Sequence, residues 1–242
     1  MKRRLRPVAL GLLQGPAELL PISSSAHARI LGGHDDKALE VALHAGSLVA
    51  FLANFCTSTG LTPANSQKLP VRPWFAMATV APPSLAVLAL GDVIEHRLGT
   101  PRAMALGLLA GSALLVAADR ATGERDAADA SLIDAVGLGL AQALALWPGV
   151  SRSAATLTAA RARGFTAQAA TALSREALLP VLAAATARKA TAFRASHLPG
   201  FLSAAVSTYL SARILTPPRS LKPYALYRTV LAIAVLWEDR HR

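Results

Sequence analysis

The chain has 242 residues, of which 53% are hydrophobic and only 16% are charged. Soluble domains carry about 25% charged residues, so the composition argues against a soluble enzyme and favours a single membrane domain over 1–242. The net charge of +11 suggests nucleic-acid binding, but the basic residues flank apolar segments and form no stripe with interleaved aromatic residues. We therefore expect a bilayer and no nucleic acid as partner. The single cysteine, Cys56, excludes an internal disulfide.

Apolar segments close to membrane-spanning length recur along the whole chain. The first covers 7–22 and follows a basic start, but no cleavage site follows it, so we assign it to the mature protein. Further segments are predicted at 38–55, 73–91, 102–118 and 131–147, with a polar loop over 57–72. After a helix break at Pro148 and Gly149, apolar segments resume at 154–160, 168–187, 199–215 and 223–237. The segments before the two Pro/Ser breaks are predicted to be half-helices that enter the membrane and turn back.

The sequence contains an internal repeat. A gap-free shift of 128 residues, which places Ser23 on Ser151, brings nine residues onto identical partners. The pairs are Val8/Val136, Leu10/Leu138, Gly11/Gly139, Leu12/Leu140, Gln14/Gln142, Ala17/Ala145, Ser23/Ser151, Ser25/Ser153 and Ala26/Ala154. Interrupted helices in corresponding halves of a membrane protein indicate a site at the repeat interface.

We therefore predict an all-α polytopic membrane protein built as an inverted-topology repeat. Its halves are expected at about 1–120 and 128–242, with two re-entrant helix-loop-helix segments and about six full transmembrane helices. A count of eight spans is the alternative, because half-helices make the number of crossings ambiguous.

The first break carries polar residues that suit phosphate chemistry. Gln14 and Glu18 are four residues apart and project from one helix face. A carboxylate at membrane depth is costly, so Glu18 is expected to face a polar cavity. The serines that follow offer hydroxyls and N-cap acceptors for the next helix, whose N-terminus would suit phosphate. His27 is suited to proton transfer near neutral pH.

The second break supplies an anion clamp. Arg152 lies between Ser151 and Ser153, at the repeat position of Ser24, and its guanidinium binds phosphate oxygens in a fork. Other interpretations stay open: serines in membrane helices usually serve helix packing, and an intramembrane glutamate also occurs in transporters. His27 can be a packing or capping group, and His44 in the second apolar segment either lines the cavity or packs between helices.

At these two motifs the sequence resembles the bacitracin-resistance family of undecaprenyl-diphosphate phosphatases. The first motif reads Gln14-Gly-Pro-Ala-Glu18-Leu-Leu-Pro21-Ile-Ser23-Ser24-Ser25-Ala-His27, and the second reads Pro148-Gly-Val-Ser151-Arg152-Ser153-Ala-Ala-Thr156. Lesser likenesses at 43–47 and 223–228 keep the same order along the chain.

The resemblance implies a membrane hydrolase that removes one phosphate from the C55 isoprenoid diphosphate. The product is the lipid carrier for peptidoglycan and cell-wall synthesis, and the activity is linked to antibiotic resistance. The implied location is the bacterial cytoplasmic (inner) membrane, as a multi-pass protein whose site faces the periplasmic side. A divalent cation, Mg²⁺ or Ca²⁺, is implied as cofactor, and a homodimer is possible.

The resemblance also implies roles for individual residues. The catalytic group is Glu18, Ser24, His27 and Arg152, in which Ser24 matches the proposed nucleophile and His27 a base or alternative nucleophile. Glu18 is in addition the residue expected at the metal. The implied substrate-binding residues are Gln14, Ser23, Ser25, Ser151, Ser153 and Thr156.

The chain departs from the family pattern in several places. Gln14 is a less common choice than glutamate, and Ala26 and Ala154 replace motif glycines. Two alternatives therefore remain beside the phosphatase: a lipid or ion transporter, or flippase, built on the same repeat architecture, and a divergent family member that binds the lipid but turns it over poorly.

Overall fold

The computed structural model describes residues 5–32, 36–57, 72–188, 193–216 and 220–241. Within these residues the chain is helical and contains no β-strand, which confirms the all-α prediction. The basic residues at 2–4 and nearly all of the loop predicted over 57–72 lie outside the described residues. The helices are α1 (Arg6–Leu19), α2 (Ser24–Ile30), α3 (Lys37–Thr57), α4 (Pro73–Val93), α5 (Pro101–Asp119), α6 (Leu132–Leu144), α7 (Arg152–Ala162), α8 (Ala167–Arg188), α9 (Leu198–Ile214) and α10 (Lys222–Arg240).

Local sequence explains where many of these helices begin and end. Prolines occupy the first turns of α4 and α5, where the missing N–H costs nothing. Ser131 caps α6 by accepting a hydrogen bond from the Asp134 amide. The apolar segment predicted over 7–22 ends earlier, at Leu19, and the segment predicted over 131–147 ends at Leu144. Both helices stop short because a Pro/Ser turn follows each of them.

Apolar side chains cover much of the outer surface. Two helices of the described chain, Pro73–Val93 and Pro101–Asp119, are long and apolar enough to cross a membrane. Met77, Leu88 and Ile133 are each more than 70% exposed, at 71%, 77% and 72%. Apolar exposure on this scale is typical of a lipid-facing surface and is rare on soluble monomers. The fold is thus a bundle of apolar helices suited to a bilayer.

Helix packing follows the sequence repeat. Helix α1 packs along α9, and α6, its repeat counterpart, packs along α4, while α5 packs on α10. Gly11 of α1 lies so close to α9 that a Cβ there would collide with Ser203 Oγ and the α9 backbone. Gly139, the repeat partner of Gly11, lies equally close to α4: its Cβ would stand 2.7 Å from the Ala78 carbonyl oxygen. Small residues let membrane helices approach closely, so glycines at matching positions of the sequence repeat allow α1 and α6, the helices that lead to the breaks, to pack tightly.

Candidate active site between two broken helices

Both breaks contain a serine in a strained backbone conformation. Ser23 has φ 68° and Ser151 has φ 66°, and in the described part of the chain these are the non-glycine residues with positive φ. Each directly precedes a helix, α2 or α7, and the two positions are equivalent in the repeat. Such conformations cost about 1–3 kcal/mol and cluster at functional sites. The two turns therefore share the same strained backbone conformation at the same position of the sequence repeat.

The two turns lie against each other. The Ser153 hydroxyl donates a 2.9 Å hydrogen bond to the Leu20 carbonyl oxygen. The Gly149 amide approaches Ser25 Oγ at 3.4 Å. Gly149 has φ 97°, and a Cβ there would collide with the Met104 carbonyl oxygen of α5. Residues separated by more than 120 positions in the chain thus form one site.

Glu18 is the centre of that site. Its carboxylate is 6% exposed and forms a 3.0 Å ion pair with the Arg152 guanidinium. The Gln14 side-chain amide donates to it at 2.8 Å, and His44 Nδ1 lies 3.0 Å from it. These partners supply the compensation that a buried carboxylate needs. The i and i+4 spacing of Gln14 and Glu18 thus places both on one face, as the sequence predicts.

Arg152 joins the first break to the body of the protein. Besides the Glu18 carboxylate, its Nη2 donates to the Glu18 carbonyl oxygen at 3.0 Å, and its Nη1 approaches the Ser174 carbonyl oxygen at 3.5 Å. Thr156, one turn later in α7, shares a 2.6 Å hydrogen bond with the Ser174 hydroxyl. The guanidinium is therefore held in place at the N-terminus of α7, where amide groups and the helix dipole also favour an anion.

The serine hydroxyls form two matching pairs. Ser23 Oγ lies 3.1 Å from Ser25 Oγ, and Ser151 Oγ lies 3.2 Å from Ser153 Oγ. The N-cap prediction made for the helix after the first break is wrong: no side-chain cap forms at α2, where the Ser23 hydroxyl pairs with Ser25. At the second break, Ser151 does cap α7 by accepting a hydrogen bond from the Ala154 amide. Ser24 Oγ forms no hydrogen bond with any described residue, so its lone pairs face no competing donor.

His27 does not contact Glu18 or Arg152. Its Nδ1 lies 2.7 Å from the Ser23 carbonyl oxygen, and its Nε2 lies 2.6 Å from the Tyr227 hydroxyl. Because a carbonyl only accepts, Nδ1 carries the hydrogen, and neutral Nε2 accepts from Tyr227. The Tyr227 ring lies nearly parallel to the imidazole, with an interplanar angle of 15° and centroids 5.8 Å apart. The structure thus brings Glu18 and Arg152 together, as the sequence predicts, but places His27 beside them in a separate contact.

Three residues of the site, Ser174, Tyr227 and Arg228, have no role in the sequence-based prediction. The sequence allows His44 either to line the cavity or to pack between helices, and the structure places it at the cavity, with Nδ1 3.0 Å from the Glu18 carboxylate. Arg228 is fully buried and donates to carbonyl groups of both breaks. An arginine inside an apolar segment is the signal that marks it in the sequence.

A cavity of about 460 Å³ begins at His44. Its walls come from α3, α4, α8 and the end of the second break, and most are apolar. The apolar lining comprises Val41, Val80, Pro83, Val87, Leu88, Leu146, Val181, Ala184 and Ala185. Lys37, Glu40 and Arg188 contribute the charged groups. The cavity is thus mainly apolar and meets the Glu18 cluster at His44.

The described side chains do not by themselves form a cation site. They contain no group of three His, Cys, Asp or Glu residues suited to a metal ion. Both Glu18 oxygens are already occupied, one by Gln14 and His44 and the other by Arg152. Mg²⁺ or Ca²⁺ requires about six oxygen ligands, most of which would have to come from substrate and water. The cation at Glu18 thus stays a prediction, and no chemical step below uses it.

Comparison with known proteins decides the family. The family model described as "Bacitracin resistance protein BacA" matches residues 7–234. The chain belongs to this family. Similar proteins named undecaprenyl-diphosphatase include those of Geobacter sulfurreducens, 35% identical over 260 residues, and Idiomarina loihiensis, 33% identical over 258 residues. Each alignment covers 96% of this chain and 97% of the relative. A third, from Hahella chejuensis, is 32% identical over 260 residues with the same coverage.

The two alanines that replace glycines of the bacitracin-resistance motifs are accommodated in the core. Ala26 is 0% exposed and packs in a cluster with Met104, Leu108 and Val235. Ala154 is 1% exposed and belongs to the largest apolar cluster. Both methyl groups therefore fill helix interfaces and leave the serine turns of this family member with matching geometry.

Proposed function

We propose that the chain hydrolyses undecaprenyl diphosphate to undecaprenyl phosphate and inorganic phosphate. Family membership and the names of its relatives support this activity. The observation in the structure that carries it is the buried Glu18–Arg152 pair between two strained serine turns, beside an apolar cavity. The product is the lipid carrier of peptidoglycan synthesis, and the family description links the activity to bacitracin resistance.

The site residues divide the chemistry between them. Ser24 attacks the terminal phosphorus with its hydroxyl oxygen while His27, the predicted base, takes the hydroxyl proton and passes it to solvent. The bond to the bridging oxygen breaks, and prenyl monophosphate leaves with the electron pair. Arg152 and the α7 N-terminus stabilise the charge that develops on the phosphoryl oxygens. Water then attacks the phosphorus, the Ser24 oxygen leaves, and one proton of the water passes through His27 to that oxygen as phosphate is released. Glu18 orients Arg152 and His44, and the hydrogen bond from His27 to the Ser23 carbonyl oxygen also fixes the turn that carries Ser24.

The remaining predicted residues would surround the diphosphate. Ser25, Ser151 and Ser153 offer hydroxyls at the junction of the two turns, and Ser23 and Thr156 hold the turns through their own hydrogen bonds. Gln14 contributes to substrate binding through Glu18. The first isoprene units of the prenyl chain would occupy the cavity that begins at His44, because burying each CH₂ group in an apolar site is favourable by about 0.8 kcal/mol.

The finer architecture is also part of the proposal: one domain of two inverted halves, with six spans and two re-entrant segments. Contacts near the helix termini support two opposite ends. Arg6 donates to the Gly32 carbonyl at one end, so α1 and α2 return to the same side. At the other end Arg163 pairs with Asp134, so α6 and α7 return there. The spans would then be α3, α4, α5, α8, α9 and α10. The proposal also places the chain in the inner membrane as a homodimer, with the site open to the periplasm.

The test is phosphate release from C55 diphosphate by the purified full chain in detergent, without a membrane gradient. Wild type should release phosphate, and Arg152→Ala and Glu18→Gln should each abolish release. Arg102→Ala and Glu124→Gln change exposed residues of the same types and should retain full activity. Full activity of both site variants would refute the mechanism.

The same assay separates the alternatives. A transporter or flippase would bind the lipid but release no phosphate from detergent solution, since it needs only binding groups. A divergent member with poor turnover would bind the lipid and release phosphate only slowly. A wild-type kcat within the usual enzyme range of about 1–1,000 s⁻¹ would exclude both.

A further inference from the structure

Arg228 is a buried cation that connects the two breaks. Its side chain is 0% exposed in the middle of α10. Nη1 donates to the Pro21 carbonyl oxygen at 3.3 Å, and Nη2 donates to the Gly149 carbonyl oxygen at 2.9 Å. Pro21 and Gly149 are equivalent positions of the 128-residue repeat. One guanidinium therefore spans two symmetry-related carbonyl groups, one from each broken helix.

The remaining contacts of Arg228 fix the second turn more tightly. Nη2 also lies 3.0 Å from the Val150 carbonyl oxygen and 3.2 Å from the Leu108 carbonyl oxygen of α5. The Val150 carbonyl belongs to the peptide group directly before Ser151, the residue with positive φ. Holding that peptide plane restricts the rotation that would relieve the strain. Arg228 thus holds the turn that directly precedes α7, the helix whose first residue is Arg152.

The charge of Arg228 is not neutralised by a carboxylate. In the described ranges no acidic side chain forms an ion pair with it, whereas the charge of Arg152 is balanced by Glu18. A buried, unpaired cation is expensive unless hydrogen bonds or an anion compensate it. Four carbonyl oxygens, of Pro21, Leu108, Gly149 and Val150, provide that compensation in the described structure.

We propose that Arg228 is a positioning residue for diphosphate hydrolysis, which holds the two serine turns in register and thereby sets Ser24 against Arg152. The inference rests on the proposed function. Misplacement of reacting groups by about 1 Å costs on the order of 100-fold in rate. Loss of the guanidinium should therefore lower kcat far more than it raises KM, while the chain stays folded.

The experiment compares Arg228→Gln and Arg228→Lys with wild type in the C55-diphosphate assay, at temperatures well below each variant's unfolding midpoint. Arg228→Gln should lose about 100-fold or more in kcat. Arg228→Lys keeps the charge and part of the donor set, so it should recover part of this loss. Phe165→Ala truncates a fully buried ring that follows the C-terminal end of α7. It serves as the control for destabilisation alone and should keep its kcat.

A second variant tests the positioning role of Arg228 without replacing Arg228 itself. A Cβ at Gly111 would collide with Arg228 Nη2 and stand 2.8 Å from the Val150 carbonyl oxygen. Gly111→Ala should therefore displace the guanidinium and reduce kcat, whereas Gly137→Ala, with nothing within 4 Å, should not. If Arg228→Gln and Gly111→Ala are folded and retain wild-type kcat, the inference is wrong. Absence of phosphate release by wild type would instead refute the proposed function.

Discussion

The Glu18–Arg152 pair offers a test in which stability and activity respond differently. Replacing Arg152 by Met removes its 3.0 Å ion pair with the Glu18 carboxylate and its 3.0 Å bond to the Glu18 carbonyl. The carboxylate, 6% exposed, is then left with Gln14 and His44 alone. Replacing Glu18 by Gln in the same chain removes the stranded charge. The double variant Glu18→Gln/Arg152→Met therefore lacks both charges of the ion pair.

The expected magnitudes follow from burial. Breaking a buried ion pair by removing one partner costs about 3–5 kcal/mol, whereas replacing both charges by uncharged groups is often close to neutral. For a chain of this length, 1 kcal/mol corresponds to about 2–4 °C in unfolding temperature. Arg152→Met should thus lower the midpoint by about 6–20 °C. The double variant should recover most of this loss.

The assay is thermal unfolding of the purified chain in detergent, run beside phosphate release from C55 diphosphate. The double variant should be stable and inactive, because the anion clamp is absent. Arg102→Met, at an exposed position of α5, is the control and should change neither property. If the effects of the two single substitutions on the midpoint simply add, the pair is not coupled and the reasoning is wrong.

Three other results are expected. His44→Gln removes the imidazole that lies 3.0 Å from the Glu18 carboxylate, and the resulting misplacement of Glu18 and Arg152 should lower kcat by about 100-fold, whereas His96→Gln, at an exposed site, should be neutral in the same assay. Gly11→Ala should destabilise the chain by about 1–3 kcal/mol through overpacking of α1 on α9, and Gly137→Ala should stabilise it by about 0.5–1 kcal/mol, both read from unfolding midpoints. A chelator should reduce phosphate release, and Mg²⁺ or Ca²⁺ should restore it; release unaffected by chelator would remove the cation from the proposal.

Much of the candidate site could be read from local sequence. The Gln14/Glu18 spacing determines a shared helix face, and Pro/Ser turns end both half-helices near the predicted positions. The 128-residue repeat identifies the partner of each break, since equivalent positions in a repeat adopt equivalent conformations. Ser23 and Ser151 confirm this with nearly identical φ angles. These features follow from periodicity and backbone stereochemistry, which act over a few residues.

The tertiary structure alone decided which distant groups complete the site. His27 and His44 both follow the first break in the sequence. In the structure His44 contacts Glu18, whereas His27 is hydrogen-bonded to Tyr227, 200 residues away. Arg228 reaches the Pro21 carbonyl across 207 residues. Sequence patterns record helix faces and turns, but not which helix lies behind them, because that depends on packing between helices. The charge carried by Arg228 therefore becomes part of the site only when α10 is packed against both breaks.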